Sequence, residues 1–314
     1  MTQSQNGQDM MEQALILNRD MVTALDIIGD RWTLLILRDT FLGRCRFEEF
    51  RQHTGASRAT LSQRLERLVA GDILYRRAYG EGSNRFEYRL TVKGLELFGA
   101  SLLAWQWERE WSPQDDLPRQ LHHALCGHPL QPRAQCRNCQ ATLKIRDVSW
   151  PAGILGAQFS EIRSLSGQRR ARSDARGSDS ALTTISDLIG DRWTLLILIA
   201  AFFGVKRYDE FQKQLGIASN ILTARLSRLV DAGIVNRRQY QQNPPRSDYR
   251  LTTKGESLYP LVIVLRQWAG DRRSESGSTA TLLHSCGQPL TVDVVCGNCG
   301  QKPWPKDVVT FARS

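Results

Sequence analysis

Ten residues, IGDRWTLLIL, occur twice without change, at Ile28–Leu37 and again at Ile189–Leu198. The offset of 161 (189 minus 28) also carries Phe50 onto Phe211, Leu61 onto Leu222, Arg64 onto Arg225, and Tyr88-Arg89-Leu90-Thr91 onto Tyr249-Arg250-Leu251-Thr252. The chain is therefore two copies of one module. Its 314 residues also exceed the roughly 250 to 300 at which a single core stops growing.

Each copy opens with an apolar stretch, about Met21–Asp39 and Ile185–Ala201, whose LLIL core predicts a helix buried on nearly all sides. Gly43 and Gly204 end it. A short helix follows (Arg46–His53; Tyr208–Leu215), then a Gly-containing turn, then a third helix over Ser57–Ala70 and Ser219–Ala232. Two helices joined by such a turn outline a helix-turn-helix. Leu74–Arg77 with Phe86–Leu90, and Val235–Arg238 with Ser247–Leu251, then read as β-hairpins with tips GEGSN and QQNPP. Thr91-Val92-Lys93-Gly94 and its repeat lead into a last helix carrying Trp105 and Trp107 in one copy and Trp268 in the other. The expected fold class is mainly α with small β-hairpin wings (α+β). Tandem winged helix-turn-helix domains are each followed by a small Cys-rich tail.

In a winged helix-turn-helix the third helix enters the major groove and the wing lies along the backbone or minor groove. On the first reading helix the stripe Leu61, Leu65, Leu68 turns Ala59, Ser62, Gln63 and Arg67 outward and leaves Arg58 at the exposed N-terminal end. On the second, Leu222, Leu226 and Leu229 turn Asn220, Thr223, Ala224 and Arg228 outward, with Ser219 at the position of Arg58. Arg64 and Arg225 lie roughly 60° from the stripe centre, which suits a phosphate contact or an intramolecular ion pair. In the wings, Arg76, Arg77, Arg85 and Arg89 cluster against Glu81 and Glu87, and Arg237, Arg238, Arg246 and Arg250 against Asp248. Such patches suit phosphates, with Arg85 and Arg246 placed for the minor groove. Tyr88, Tyr249, Trp32 and Trp193 are expected to pack as core residues.

The segments GDRWTLLIL, RFEEF and RYDEF, GASRATLSQRLERL and GIASNILTARLSRL, and PPRSDYRLTTKG, with the closing tryptophan, resemble the HxlR-type winged helix-turn-helix transcription regulators. The resemblance covers about Val22–Trp107 and Ile185–Trp268. It is fuller in the second copy, where Pro244-Pro245-Arg246 keeps the family's wing and the first copy has Ser83-Asn84. The resemblance implies a bacterial regulator that dimerises through its first and last helices, and by analogy a repressor. The expected domains are an N-terminal extension (1–20), the first winged helix (21–112), its tail (113–150), a linker (151–182), the second winged helix (183–270) and its tail (271–314). Within the linker, Ser164–Ser180 is rich in Ser, Gly and Arg, as a flexible spacer would be, with an arm on DNA phosphates as the alternative.

Forty-two Lys and Arg against 32 Asp and Glu give a net charge of +10, which favours a polyanionic partner through counterion release; simple solubility charge is the bland alternative. The expected partner is double-stranded DNA, engaged by a homodimer or an intramolecular pseudo-dimer. No apolar run approaches the roughly 20 residues that span a bilayer. The polar start MTQSQNGQDM lacks the regions of a signal peptide, so a cytoplasmic protein is expected. No nucleophile elbow, P-loop or dinucleotide fingerprint occurs, so an enzyme is not expected. Two other classes remain open: a nucleic-acid-binding or architectural protein without sequence specificity, and a regulator in which one copy serves only as a dimerisation module.

Cys126, Cys136 and Cys139 are spaced C-x9-C-x2-C, and Cys286, Cys296 and Cys299 repeat that spacing. A CxxC pair supplies half of a zinc site, and a third Cys plus a His would complete the tetrahedron. His123 and His284 are the fourth-ligand candidates, ahead of His122 and His128, so one zinc is expected within each tail. Reduced thiols without metal, or redox pairs, are the alternatives. Cys45 has no counterpart in the other copy, where Lys206 stands. Arg44 and Arg46 would lower its pKa if it were exposed, giving a redox sensor, whereas partial burial would leave an inert thiol.

Overall fold

A computed structural model describes residues 28–79, 85–112, 117–149, 185–243, 246–270 and 282–309. The first module comprises α1 (Arg31–Phe41), α2 (Phe47–Thr54), α3 (Arg58–Ala70), β1 (Leu74–Ala78), β2 (Phe86–Leu90), α4 (Val92–Leu95) and α5 (Phe98–Trp111). Its tail holds β3 (His122–His123), β4 (His128–Pro129), β5 (Pro132–Cys136) and β6 (Val148–Ser149). The second module runs α6 (Ile185–Ile189), α7 (Arg192–Phe202), α8 (Tyr208–Leu215), α9 (Ser219–Asp231), β7 (Val235–Gln241), β8 (Arg246–Leu251), α10 (Thr253–Glu256) and α11 (Tyr259–Gly270). Its tail holds β9 (Leu283–His284), β10 (Val292–Cys296) and β11 (Val308–Val309). Among the described residues no helix is long and apolar enough to cross a membrane.

Local chemistry sets the helix boundaries. Asp30 and Asp191 are N-caps that accept the Thr33 and Thr194 amides at 3.1 and 3.3 Å, which fixes where the scaffold helices begin. The continuous helix expected over Ile185–Ala201 is therefore broken between α6 and α7. Gly190 sits in the break, where a Cβ would lie 2.7 Å from the backbone nitrogen of Arg31, so only glycine allows the modules to approach there. The turns into the reading helices pass through Gly55 and Gly216, at φ +69° and +58°, left-handed values that glycine adopts without a Cβ clash. Leu61, Leu65 and Leu68, and Leu222, Leu226 and Leu229, are fully buried, as the 3.6-residue period requires. Residues 21–27 of the expected opening helix, the wing tips at 80–84 and 244–245, and the linker lie outside the described residues.

The modules face each other about a pseudo-twofold relation. The indole of Trp107 donates to the Lys254 carbonyl at 3.2 Å, and Trp268 donates to the Lys93 carbonyl at 3.1 Å. These pairs exchange under the 161 offset. Helices α5 and α11 pack together, and α6 of the second module packs on α1 of the first. One core cluster runs through both modules, and a second joins Phe98 and Leu102 to Leu121, Leu130 and Cys296 of the tails.

The tails are interwoven, which the sequence did not suggest. Strands β5 and β10 pair antiparallel with Cys136 opposite Val292 and Cys296 opposite Pro132. Strand β6 of the first tail pairs with β9 of the second, and β11 of the second pairs with β3 of the first. A bidentate Arg137–Asp293 ion pair, 2.8 Å at its shorter contact, crosses the same joint.

Candidate nucleic-acid interface and metal centres

On α3, Arg58, Ala59, Gln63 and Arg67 are exposed and Ser62 is half-buried; on α9, Ser219, Asn220, Thr223 and Ala224 are exposed. Arg64 and Arg225 have a different role. Arg64 Nε donates to Asp30 at 2.9 Å, and Arg225 pairs with Asp191. Each reading helix is thereby tied to the N-cap of the scaffold helix beneath it. Arg228 joins the second pair at 3.5 Å. Sequence spacing left Arg64 and Arg225 between phosphate contact and ion pair; the structure gives the ion pair, because the caps lie directly below.

Sequence reading missed two further polar contacts, a lysine in each head and a tyrosine hydroxyl in the second. Lys93 and Lys254 donate to the Gly71 and Ala232 carbonyls at 2.6 and 2.9 Å, placing an ammonium at the negative end of each reading helix. The Tyr208 hydroxyl lies 2.7 Å from the Ser219 hydroxyl and 2.9 Å from that of Thr223. The first module has Phe47 at that position, with the Arg58 guanidinium 5.9 Å from the ring centroid and 2.7 Å from Glu48. The signal was present in the repeat, since Phe47 with Arg58 is replaced by Tyr208 with Ser219 as a pair.

The wings pair as expected, Leu74 opposite Leu90 and Val235 opposite Leu251. Tyr88 and Tyr249 donate their amides to the Cys45 and Lys206 carbonyls, each at 2.7 Å, fastening the wings to the modules. Arg76, Arg77, Arg85, Arg237, Arg238 and Arg246 are exposed. Arg89 and Arg250 are engaged by Glu87 and Asp248, both at 2.7 Å. Tyr88 and the partly buried Trp32, Trp193 and Tyr249 pack with the core.

The cysteines and histidines gather into two clusters, each drawn from both tails. His123, Cys126, Cys296 and Cys299 form one, and Cys136, Cys139, His284 and Cys286 form the other, with the ligand atoms of each within 4.8 Å of one another. The expected grouping within a tail is corrected. An extended strand separates each His/Cys half from its own CxxC, and strand residues advance about 3.3 Å apiece. The antiparallel register instead brings each CxxC beside the other tail's His/Cys pair. Four-coordinate zinc with sulfur at about 2.3 Å implies sulfur–sulfur edges of about 3.8 Å and nitrogen–sulfur edges of about 3.5 Å. Cys126 and Cys296 sulfurs are 4.0 Å apart, and His123 Nδ1 lies 3.5 and 3.3 Å from Cys126 and Cys299. His284 Nδ1 lies 3.4 Å from Cys139. Backbone donation from Gln288, then the His284 side chain, pull the Cys286 thiol down to about 6. Both clusters could thus hold a metal ion. His122 and His128 belong to neither.

Cys45 is partly buried. Burial, then the carboxylates of Glu87 and Glu49, push its thiol up, outweighing Arg89 and Arg46. Arg44 is turned toward Asp39 at 3.1 Å, so the activation expected from the flanking arginines does not prevail.

The HxlR-like helix-turn-helix family model matches residues 27–116 and 188–276. An uncharacterised HTH-type transcriptional regulator of Mycobacterium tuberculosis is 38% identical over 124 residues, covering 39% of this chain and 78% of the relative. Another, YybR of Bacillus subtilis, is 35% identical over 88 residues, 28% of this chain and 70% of the relative. Among solved structures, PA1607 is 35% identical, covering 48% of this chain and 99% of that chain with a TM-score of 0.36. The redox regulator HypR in its oxidised form is 35% identical, covering 28% of this chain and 91% of that chain with a TM-score of 0.26. Since 39% of this chain spans 78% of the mycobacterial relative, that relative is about half as long.

Proposed function

Because the chain belongs to the HxlR-like helix-turn-helix family, whose members are DNA-binding transcription regulators, we propose that it is a dimeric regulator written as one polypeptide. Each module reads one half-site of double-stranded DNA, and the chain represses by occupying promoter DNA. The observation that carries this reading is the reciprocal pair Trp107–Lys254 and Trp268–Lys93. It joins the last helix of each module to the short helix before the last in the other, and so supports two reading helices acting from one chain.

Base reading is assigned to Arg58, Ala59, Ser62, Gln63 and Arg67 on one head, and to Ser219, Asn220 and Thr223 on the other. Gln and Asn can pair bidentately with adenine in the major groove. Arg76, Arg77 and Arg85, with Arg237, Arg238 and Arg246, hold phosphates. Arg64, Arg225 and Arg228 act indirectly, by fixing each reading helix on its scaffold. Zinc in the two crossed Cys3His clusters clasps the tails. The Cys3His donor set and the near-tetrahedral spacing of its atoms support zinc.

Selection of bound sites from random double-stranded DNA tests the reading. The expected product is a site with two unlike half-sites, bound at least about 10³-fold above nonspecific DNA. A strictly palindromic site, or specificity below about tenfold, contradicts it. Reporter expression from that site, with and without the regulator, tests repression directly.

A further inference from the structure

A cavity of about 250 Å³ lies in the first half of the pseudo-dimer. Leu34 and Phe41 of α1, Phe98 and Trp105 of α5, Leu265 of α11 and Val308 of the second tail supply its apolar walls. Native cores seldom leave a void of this size.

The two copies differ where the cavity lies. Under the 161 offset, Arg38, Ser101, Ala104 and Glu108 of the first module correspond to Ile199, Val262, Leu265 and Ala269 of the second. Smaller or more polar side chains line the first. Their effect is visible in burial: Leu195, Leu196, Ile199 and Phe202 are exposed by 1, 2, 8 and 6%, while Leu34, Leu35, Arg38 and Phe41 remain half-exposed. Among the described residues, the second module fills the equivalent region and the first leaves it open.

We propose that this cavity is a ligand site, one per chain, for an uncharged, largely apolar molecule of about two fused aromatic rings. An engineered cavity of about 150 Å³ lined by Leu, Ile and Phe accepts benzene, and the present space is larger by about one further ring. Aromatic character follows from Phe41, Phe98 and Trp105, whose rings offer edge and face contacts; Phe41 and Phe98 are 5.3 Å apart. Neutrality follows from the polar lining, which already has partners. The Glu108 carboxylate accepts the Ile185 amide at 2.8 Å, Ser101 donates to the Phe98 carbonyl at 2.8 Å, and Trp105 donates to the Pro118 carbonyl at 2.8 Å. Arg38 lies 3.4 Å from Asp39. An ionised ligand would enter without a dedicated counter-ion, at a large desolvation cost. The walls come from both modules and both tails, so an occupant braces the joint that sets the spacing of the heads.

Titration calorimetry of the full chain with 1-naphthol, and separately with 1-naphthoate, tests the site without reference to DNA. The expected result is one 1-naphthol per chain and at least tenfold weaker binding of the charged analogue. Ser101→Val with Ala104→Leu introduces the residues that the second module carries at Val262 and Leu265, and is expected to weaken 1-naphthol binding at least tenfold without lowering the melting temperature. Should that variant fail to fold, Ala104→Leu alone serves, with at least a threefold loss expected. Absence of 1-naphthol binding, two molecules per chain, preference for 1-naphthoate, or binding unchanged in a folded filled variant would each overturn the proposal.

Discussion

The two modules share their buried scaffold and differ on two faces. The repeated decapeptide spans the N-caps Asp30 and Asp191 and the first two turns of α1 and α7, under the reading helices, where Ile36 and Leu37 are buried as Ile197 and Leu198 are. On the outer face, Arg58, Ala59 and Gln63 stand where the second copy has Ser219, Asn220 and Ala224. On the inner face, Arg38, Ser101, Ala104 and Glu108 replace Ile199, Val262, Leu265 and Ala269. A homodimer must accept every substitution at two symmetric places. Fusion removes that constraint, so one copy can change its reading surface or its interior while the other keeps packing. The comparison teaches that what repeats is what folds, and what differs lies on the two faces proposed for recognition.

The comparison holds only if the halves are one body, and the crossed tails give the largest test. With ligands drawn from both tails, His123→Ala combined with Cys296→Ser removes two ligands from the same cluster. The expected zinc content falls from two per chain to one. Zinc held within each tail would instead lose both. The pair His123→Ala with Cys136→Ser reverses the logic: crossed clusters lose both metals. Elemental analysis reads the counts. Structural zinc in finger peptides binds with about 10 to 16 kcal/mol. If even about 5 kcal/mol of that is felt by the tails, melting falls by about 10 to 20 °C for each metal lost.

Next in size are the wings. Arg76, Arg77 and Arg85 changed together to Ala should lower the slope of log K against log salt by about 2 to 3, at about 0.9 per lost phosphate contact. The same change at Arg237, Arg238 and Arg246 should do likewise. If either triple leaves the slope unchanged, that module does not engage DNA and acts as a dimerisation mate. Smaller and more selective effects belong to the base readers. Gln63→Ala and Asn220→Ala should each cost about 1 to 3 kcal/mol and relax specificity at one half-site only, as read by repeated site selection. Relaxation of both half-sites by a single substitution would break the assignment of one head to one half-site.

The sequence made local structure legible and left distant pairing hidden. The Leu61, Leu65, Leu68 stripe and its twin located the reading helices because a 3.6-residue period is a local property. The break at Gly190-Asp191 was equally local, an N-cap signal overshadowed by the apolar run on either side. The crossed clusters were not local. The Cys spacing named the candidate ligands, but which halves meet depends on the register of β5 with β10, and nothing within either tail encodes its partner. The partners of Arg64 and Arg225 hid for the same reason. Their carboxylates lie 34 residues upstream in each copy and become neighbours only when the helices stack.

The smallest expected effect tests the comparison at its finest point. Tyr208→Phe gives the second head the aromatic residue of the first, Phe47, and removes only a hydroxyl. That hydroxyl reaches Ser219 and Thr223, two exposed side chains on the face proposed to read DNA, and so limits the rotamers they present. Losing it costs about 0.5 to 1.5 kcal/mol for a typical net hydrogen bond, or about 2- to 13-fold in affinity for DNA carrying the second half-site. The loss should vanish on DNA in which only the first half-site is intact, because Arg58 and Phe47 are untouched. Equal losses on both DNAs would mean that the hydroxyl stabilises the fold and has no part in presentation, and a melting curve shifted in step would identify that case. An unchanged melting temperature with a loss confined to the second half-site would place the difference between the modules in the aromatic residue beneath the reading helix as well as in the residues that face the bases.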